Sequence, residues 1–125
     1  MSKLIYEQES FQIRGACFEV YREKGAGFLE SVYQECLELE MRGNGIPFVP
    51  QPRLEMDYKG QKMKSEFKPD MICFGKIILE LKAIRELTDE HRSQVHNYLR
   101  ATGHRLGMLV NFGHHPRVEI ERIAN

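Results

Sequence analysis

The segment Phe67-Lys68-Pro69-Asp70-Met71-Ile72-Cys73-Phe74, followed by Gly75-Lys76 and then Ile77-Ile78-Leu79-Glu80-Leu81-Lys82, reads as two strands joined by a short turn. The run Ile77, Ile78, Leu79 and Leu81 marks a buried central strand. Within it, alternation places Glu80 and Lys82 on one face and Leu81 on the other. An acid and a lysine two residues apart in an apolar strand are costly to bury unless they are paired or hold a ligand. Asp70 on the neighbouring strand adds a second carboxylate. Such hard oxygen donors suit Mg²⁺ or Mn²⁺, and the backbone carbonyl of Leu81 offers a further ligand. Taken alone the pattern is weak, because acid-x-Lys triplets and Pro-Asp pairs are common, and Glu80 and Lys82 could line a solvated face.

Register sharpens the expectation. Opposed residues of an antiparallel pair have numbers of constant sum and share a face. A two-residue turn at Gly75-Lys76 opposes Phe74 to Ile77 and sends Asp70 to the wrong face. A three-residue loop, Phe74-Gly75-Lys76, opposes Cys73 to Ile77 and puts Asp70 opposite Glu80. Gly75 can supply the positive φ such a loop needs. A β-bulge restores the same parity. An even register at Asp70 and Glu80 is therefore predicted.

Outward from this segment, Arg53–Tyr58 and Gln61–Phe67 read as strands around Lys59-Gly60, so that residues 53 to 82 form a meander. Before it, Pro47, Pro50 and Pro52 forbid helix. Two amphipathic helices precede the prolines, over 8–23 and 28–42. Ile13, Cys17, Val20 and Tyr21 line the first; Leu29, Val32, Tyr33, Cys36, Leu37 and Met41 line the second. Glu30 lies at the margin of the second stripe, where a carboxylate can point into a cleft; a surface glutamate favoured by the helix dipole is the plainer reading. After Lys82, Thr88 can cap a third helix that ends near Thr102-Gly103. Gln94 and Tyr98 lie one turn apart on it and are predicted to face the sheet and the acidic site, with Arg92 and Arg100 solvated. Packing for Tyr98 and solvation for Gln94 are the plainer alternatives. His91 and His96 fall on different faces and make no metal pair. Leu106–Phe112 is a further strand, and Val118–Ile123 a short edge. The strand–helix–strand from Ile77 to Phe112 implies a right-handed crossover between parallel neighbours. The fold class is α/β: a single-domain mixed sheet over residues 1–125, flanked by helices.

Composition agrees. At 125 residues with 42% apolar residues the chain can build one core unaided. Eighteen basic and eighteen acidic residues cancel, which excludes a strongly basic nucleic-acid binder. The charge is uneven: residues 1–50 hold 5 basic and 8 acidic side chains, the remainder 13 and 10. No apolar run spans a membrane and none resembles a signal peptide, so a cytoplasmic protein without a membrane partner is expected. Cys17, Cys36 and Cys73 lack a C-x-x-C spacing and read as three buried, reduced thiols.

Together, Gly27-Phe28-Leu29-Glu30-Ser31-Val32-Tyr33, Asp70, Glu80-Leu81-Lys82-Ala83, Gln94–Tyr98 and Asn111-Phe112-Gly113 resemble the GxxExxY protein family of the PD-(D/E)XK nuclease-like superfamily, over about residues 5 to 123. The Gln94-x-x-x-Tyr98 pair is similar to the lambda-exonuclease-like branch. The resemblance implies an αβββαβ restriction-endonuclease-like core and metal-dependent hydrolysis of phosphodiester bonds. It implies Mg²⁺ or Mn²⁺ at Asp70 and Glu80, with Glu30 completing the shell directly or through water. Lys82 would act on the attacking water, and Gln94 and Tyr98 would hold Lys82 and the phosphate. Family members usually carry Val-His near the end of the first helix, where this chain has Val20-Tyr21. The expected partner is nucleic acid, DNA ahead of RNA, with a homodimer or a larger complex as the assembly. The alternative is a catalytically inactive module on the same scaffold that binds nucleic acid or protein.

Overall fold

The computed structural model describes residues 4–125. Two helices come first, α1 (Glu7–Lys24) and α2 (Glu30–Gly43). The strands β1 (Phe48–Pro50), β2 (Leu54–Tyr58), β3 (Gln61–Phe67), β4 (Met71–Cys73) and β5 (Ile77–Lys82) follow. The chain closes with α3 (Asp89–Thr102), β6 (Leu106–Asn111) and β7 (Glu119–Ala124). The main sheet has the order β1-β4-β5-β6-β7; only β5 and β6 run parallel, joined through α3.

Three elements differ from the sequence reading. The span 67–74 is not one strand. Pro69 has no N–H to donate, so the ladder stops at Phe67 and resumes at Met71. The predicted meander is thereby cut in two, and β2 and β3 form a separate two-stranded ribbon. Its strand β3 is exposed except at Phe67. The proline-rich stretch holds a short edge strand, β1, paired with β4; the edge tolerates Pro50 because that side of the strand needs no partner. The α2 helix starts two residues later than the periodicity suggests, with Leu29 as an N-cap whose side chain makes no capping bond. Thr88 caps α3 as predicted: His91 N–H donates to its Oγ1 (3.4 Å) and Thr88 N–H donates to His91 Nδ1 (3.0 Å).

The sheet separates two apolar layers. Ile77, Leu79 and Leu81 of β5 pack with Ile13, Cys17, Tyr33 and Leu37 of α1 and α2. Ile78 and Leu109 pack on the other side with Val95 and Leu99 of α3 and with Phe67. By alternation Glu80 and Lys82 share the α3 side with Ile78. Cys17 and Cys73 are buried as expected, while Cys36 is only half-buried; all three are free thiols.

Candidate active site

The register between β4 and β5 is even. Cys73 opposes Ile77, Ile72 opposes Ile78 and Met71 opposes Leu79. Continued by one residue, it brings Asp70 opposite Glu80. The loop is the three-residue one, with Lys76 N–H donating to the Cys73 carbonyl (3.1 Å). Two successive residues are left-handed, Phe74 (φ 56°) and Gly75 (φ 70°), one more than the sequence reading assigned.

Asp70 lies just outside β4, and hydrogen bonds replace the missing ladder. Its Oδ2 accepts from Leu81 N–H (2.6 Å), and its own N–H donates to Glu80 Oε1 (3.3 Å). Its carbonyl accepts from Gln51 N–H and from the Gln34 side-chain amide, 3.0 Å each. Asp70 is thus pinned by β5, by the chain after β1 and by α2.

The electrostatics follow from burial. Glu80 is pushed up to about 8, first by burial and then by the negative charge of Asp70; Lys82 opposes the shift without cancelling it. Burial raises Asp70 as well, against the Leu81 hydrogen bond and the Lys82 charge. Glu30 begins α2 on the exposed rim, and it too is raised, by partial burial and then by Asp70. Three carboxylates held above their ordinary range share one lysine. Glu30 and Asp70 line a cavity of about 330 Å³ together with Ser31, Gln34 and Gln51.

This donor set fits a hard divalent cation in one particular way. Among the described residues, no three Asp, Glu, His or Cys side chains stand close enough for a ready-made cage. Asp70 and Glu80 form a two-carboxylate site, with Glu30 coupled to it from the rim. Mg²⁺ suits that arrangement, since it keeps several waters and is bound through one or two carboxylates plus substrate phosphate.

Glu30 is placed by Tyr33. That buried phenol donates to the Gly25 carbonyl (2.5 Å) and accepts from Phe28 N–H (3.2 Å), while its ring stacks on Phe112 at 4.6 Å. The loop from Gly25 to Phe28 is thereby tied to the core, and α2 starts where Glu30 reaches the cavity. Tyr21, near the end of α1, donates its hydroxyl to the His114 carbonyl (2.7 Å).

The third helix departs from expectation. Gln94 is exposed, and its amide donates to the Tyr98 hydroxyl (3.4 Å). Tyr98 is half-buried and stacks on Phe67 at 3.8 Å. Among the described residues, neither makes a hydrogen bond to Lys82 or to a site carboxylate. The sheet-facing positions of the helix are Val95 and Leu99, so Gln94 and Tyr98 fall on its flank toward the ribbon. Arg92, expected to be solvated, pairs with Glu121 (2.8 Å) and Asp89 (2.9 Å).

Sequence reasoning passed over Asn111 as chemistry. It is fully buried between Lys82 and Glu119 on neighbouring strands and carries three hydrogen bonds. A polar residue at the end of the all-apolar run Leu106 to Val110 was the available signal.

None of the curated proteins compared with the chain matches it significantly. Among solved structures it is similar to one described as the crystal structure of SSO0001, with a TM-score of 0.56 and 22% identity over 76% of this chain. At that identity the likeness shows the fold, and the match spans 50% of the other chain. A family model, described as the PD-(D/E)XK nuclease superfamily, matches residues 7–123. Members of that superfamily generally use divalent metals. With the match covering nearly the whole sequence and a mixed sheet flanked by helices consistent with that fold, this chain belongs to the PD-(D/E)XK nuclease superfamily.

Proposed function

We propose that this protein is a metal-dependent nuclease that hydrolyses phosphodiester bonds. The observation that carries this reading is the Asp70–Glu80 pair, brought together where the β4–β5 register continues one residue past Met71, with Glu80 pushed up to about 8 and Lys82 two residues away on the same face. A buried pair of repelling carboxylates is costly alone and favourable around a cation.

Asp70 and Glu80 would hold Mg²⁺ or Mn²⁺, and Glu30 would reach it through water from the rim. The cation would supply a more acidic bound water and offset charge on the phosphate. Lys82 would orient that water and stabilise the developing negative charge. Tyr98 secures Phe67 and so the segment leading to Asp70, a positioning role in place of direct contact with phosphate. Gln94 presents an exposed amide beside it, available to a substrate strand. Nucleic acid is the substrate class, DNA ahead of RNA.

The test is Mn²⁺-dependent cleavage on a panel of single- and double-stranded DNA and RNA. Lys82→Ala should lower turnover by roughly 10²-fold or more while leaving Mn²⁺ binding intact. Asp70→Ala should lose both. A wild-type chain that binds nucleic acid, cleaves nothing and keeps its affinity in Asp70→Ala would establish the non-catalytic module instead.

A further inference from the structure

The Asn111-Phe112-Gly113 segment has no part in the chemistry assigned above, yet it is built around Lys82. The residues Lys82, Asn111 and Glu119 are register partners across β5, β6 and β7. With Glu80, they continue the polar row across the sheet on the side of α3. Asn111 is fully buried, and three of the four hydrogen-bonding positions of its amide are used. Oδ1 accepts from Ile84 N–H and Gly113 N–H, both at 3.0 Å, and Nδ2 donates to Glu119 Oε1 at 3.0 Å. A flipped amide would set N–H against two N–H groups and oxygen against a carboxylate, so Glu119 dictates the orientation.

These bonds act on the chain just past Lys82. Phe112 N–H donates to the Lys82 carbonyl (2.8 Å), and Asn111 then grips Ile84 two residues on. Gly113 closes the same clasp from the other side: a Cβ there would overlap the backbone of Ala83 and Ile84. The backbone on both sides of Lys82 is therefore fixed, by the strand ladder before it and by the clasp after it.

We propose that Asn111 is a positioning residue for Lys82, oriented by Glu119, and that this polar clasp sets the lysine where the reaction needs it. The inference rests on the nuclease reading. Lys82 carries a long flexible side chain, and its reach into the site depends on the direction in which its Cα–Cβ bond leaves the strand. A misplacement near 1 Å costs about 10²-fold in rate.

The test compares the full-length wild type with variants in three measurements: single-turnover cleavage, Mn²⁺ binding and amide hydrogen exchange. Asn111→Ala should lower kcat by about 10²-fold. Mn²⁺ affinity and KM should stay within about threefold, and Ile84 and Gly113 amides should exchange faster. Asn111→Asp should fail similarly, because a buried carboxylate would then face the half-buried carboxylate of Glu119. Combining it with Glu119→Gln exchanges carboxylate and amide, restores every bond of the clasp, and should return kcat to within about threefold of wild type. Gly113→Ala should reproduce the loss while leaving every side chain of the polar row unchanged. Unchanged Mn²⁺ affinity and KM beside the lowered kcat separate this role from a general loss of stability. A wild type that binds no Mn²⁺ and cleaves nothing overturns the nuclease reading, and this role with it. A wild type that cleaves, beside an Asn111→Ala chain that cleaves equally well with Ile84 exchanging freely, overturns the role alone. Should Asn111→Ala not fold, an exchange pair that folds yet stays inactive overturns it equally.

Discussion

Glu80 holds its proton to about pH 8, against 4.5 for an ordinary glutamate. The folded, metal-free protein therefore binds that proton more tightly than the unfolded chain does. The resulting stability is fully present below about pH 4.5 and is lost as pH rises through about 8. Asp70 and Glu30 shift the same way and steepen the fall. Metal-free Glu80→Gln should match the wild type near pH 4 and exceed it at pH 9 by about 1–3 kcal/mol, read by urea unfolding at each pH. Added Mn²⁺ should reverse the order, stabilising the wild type and not the variant. A wild type whose stability is flat from pH 5 to 9 would contradict the burial argument. This pairing was legible only by choosing a three-residue loop or a bulge over a two-residue turn; the alternation of Ile77 to Lys82 then set Asp70 opposite Glu80. The pinning of Asp70 by Gln34 and Gln51 was not legible, because both lie far away in sequence and carry no local pattern.

Among the elements, α2 depends on one aromatic. Tyr33 fills the core against Phe112 and ties down the loop from Gly25 to Phe28 with its hydroxyl. Tyr33→Ala should cost about 3–5 kcal/mol through lost burial and the cavity left behind. Tyr33→Phe keeps the ring and should cost about 1–2 kcal/mol through the unpaired Gly25 carbonyl and Phe28 N–H. Equal losses in urea unfolding would show that the ring packing contributes nothing. The turn from β4 to β5 makes a second case. Gly75 sits at φ 70° with open space around its Cα, so only backbone strain opposes a side chain there. Gly75→Val should destabilise by about 1–2 kcal/mol, the cost of a β-branched residue in the left-handed region, whereas a neutral result would mean the turn relaxes. The helices and central strands were readable because their apolar periods are long. The β1 strand escaped notice, since three residues between prolines give no period. The separate ribbon escaped too, because its split from the sheet depends on Pro69 alone. The flank position of Gln94 and Tyr98 depends on where α3 lies over the sheet, which helical spacing does not specify.

At the scale of the whole molecule, equal numbers of acids and bases leave no broad field to draw in a polyanion. Many cations are already engaged: Arg22, Arg42, Arg53, Lys62, Lys76 and Arg92 all pair with carboxylates. Near the site, two exposed cations make no ion pair among the described residues, Lys68 just before Asp70 and Arg85 just after the strand that carries Lys82. Together with Lys82 they can meet about three phosphates. Counterion release then predicts a shallow salt dependence for duplex DNA, with log K falling against log salt at a slope of roughly −2.7. Replacing Lys68 and Arg85 by Gln should bring the slope to about −1, measured by anisotropy with Ca²⁺ in place of Mn²⁺ to limit cleavage. A wild-type slope beyond about −6 would require more phosphate contacts than Lys68, Arg85 and Lys82 supply, and would point to a second copy or another subunit. The shallow slope has a mechanistic consequence. On the proposed mechanism, with few phosphate contacts binding alone would select little, and discrimination would fall to the carboxylate pair and Lys82. On that mechanism, positioning around Lys82 would then limit the rate.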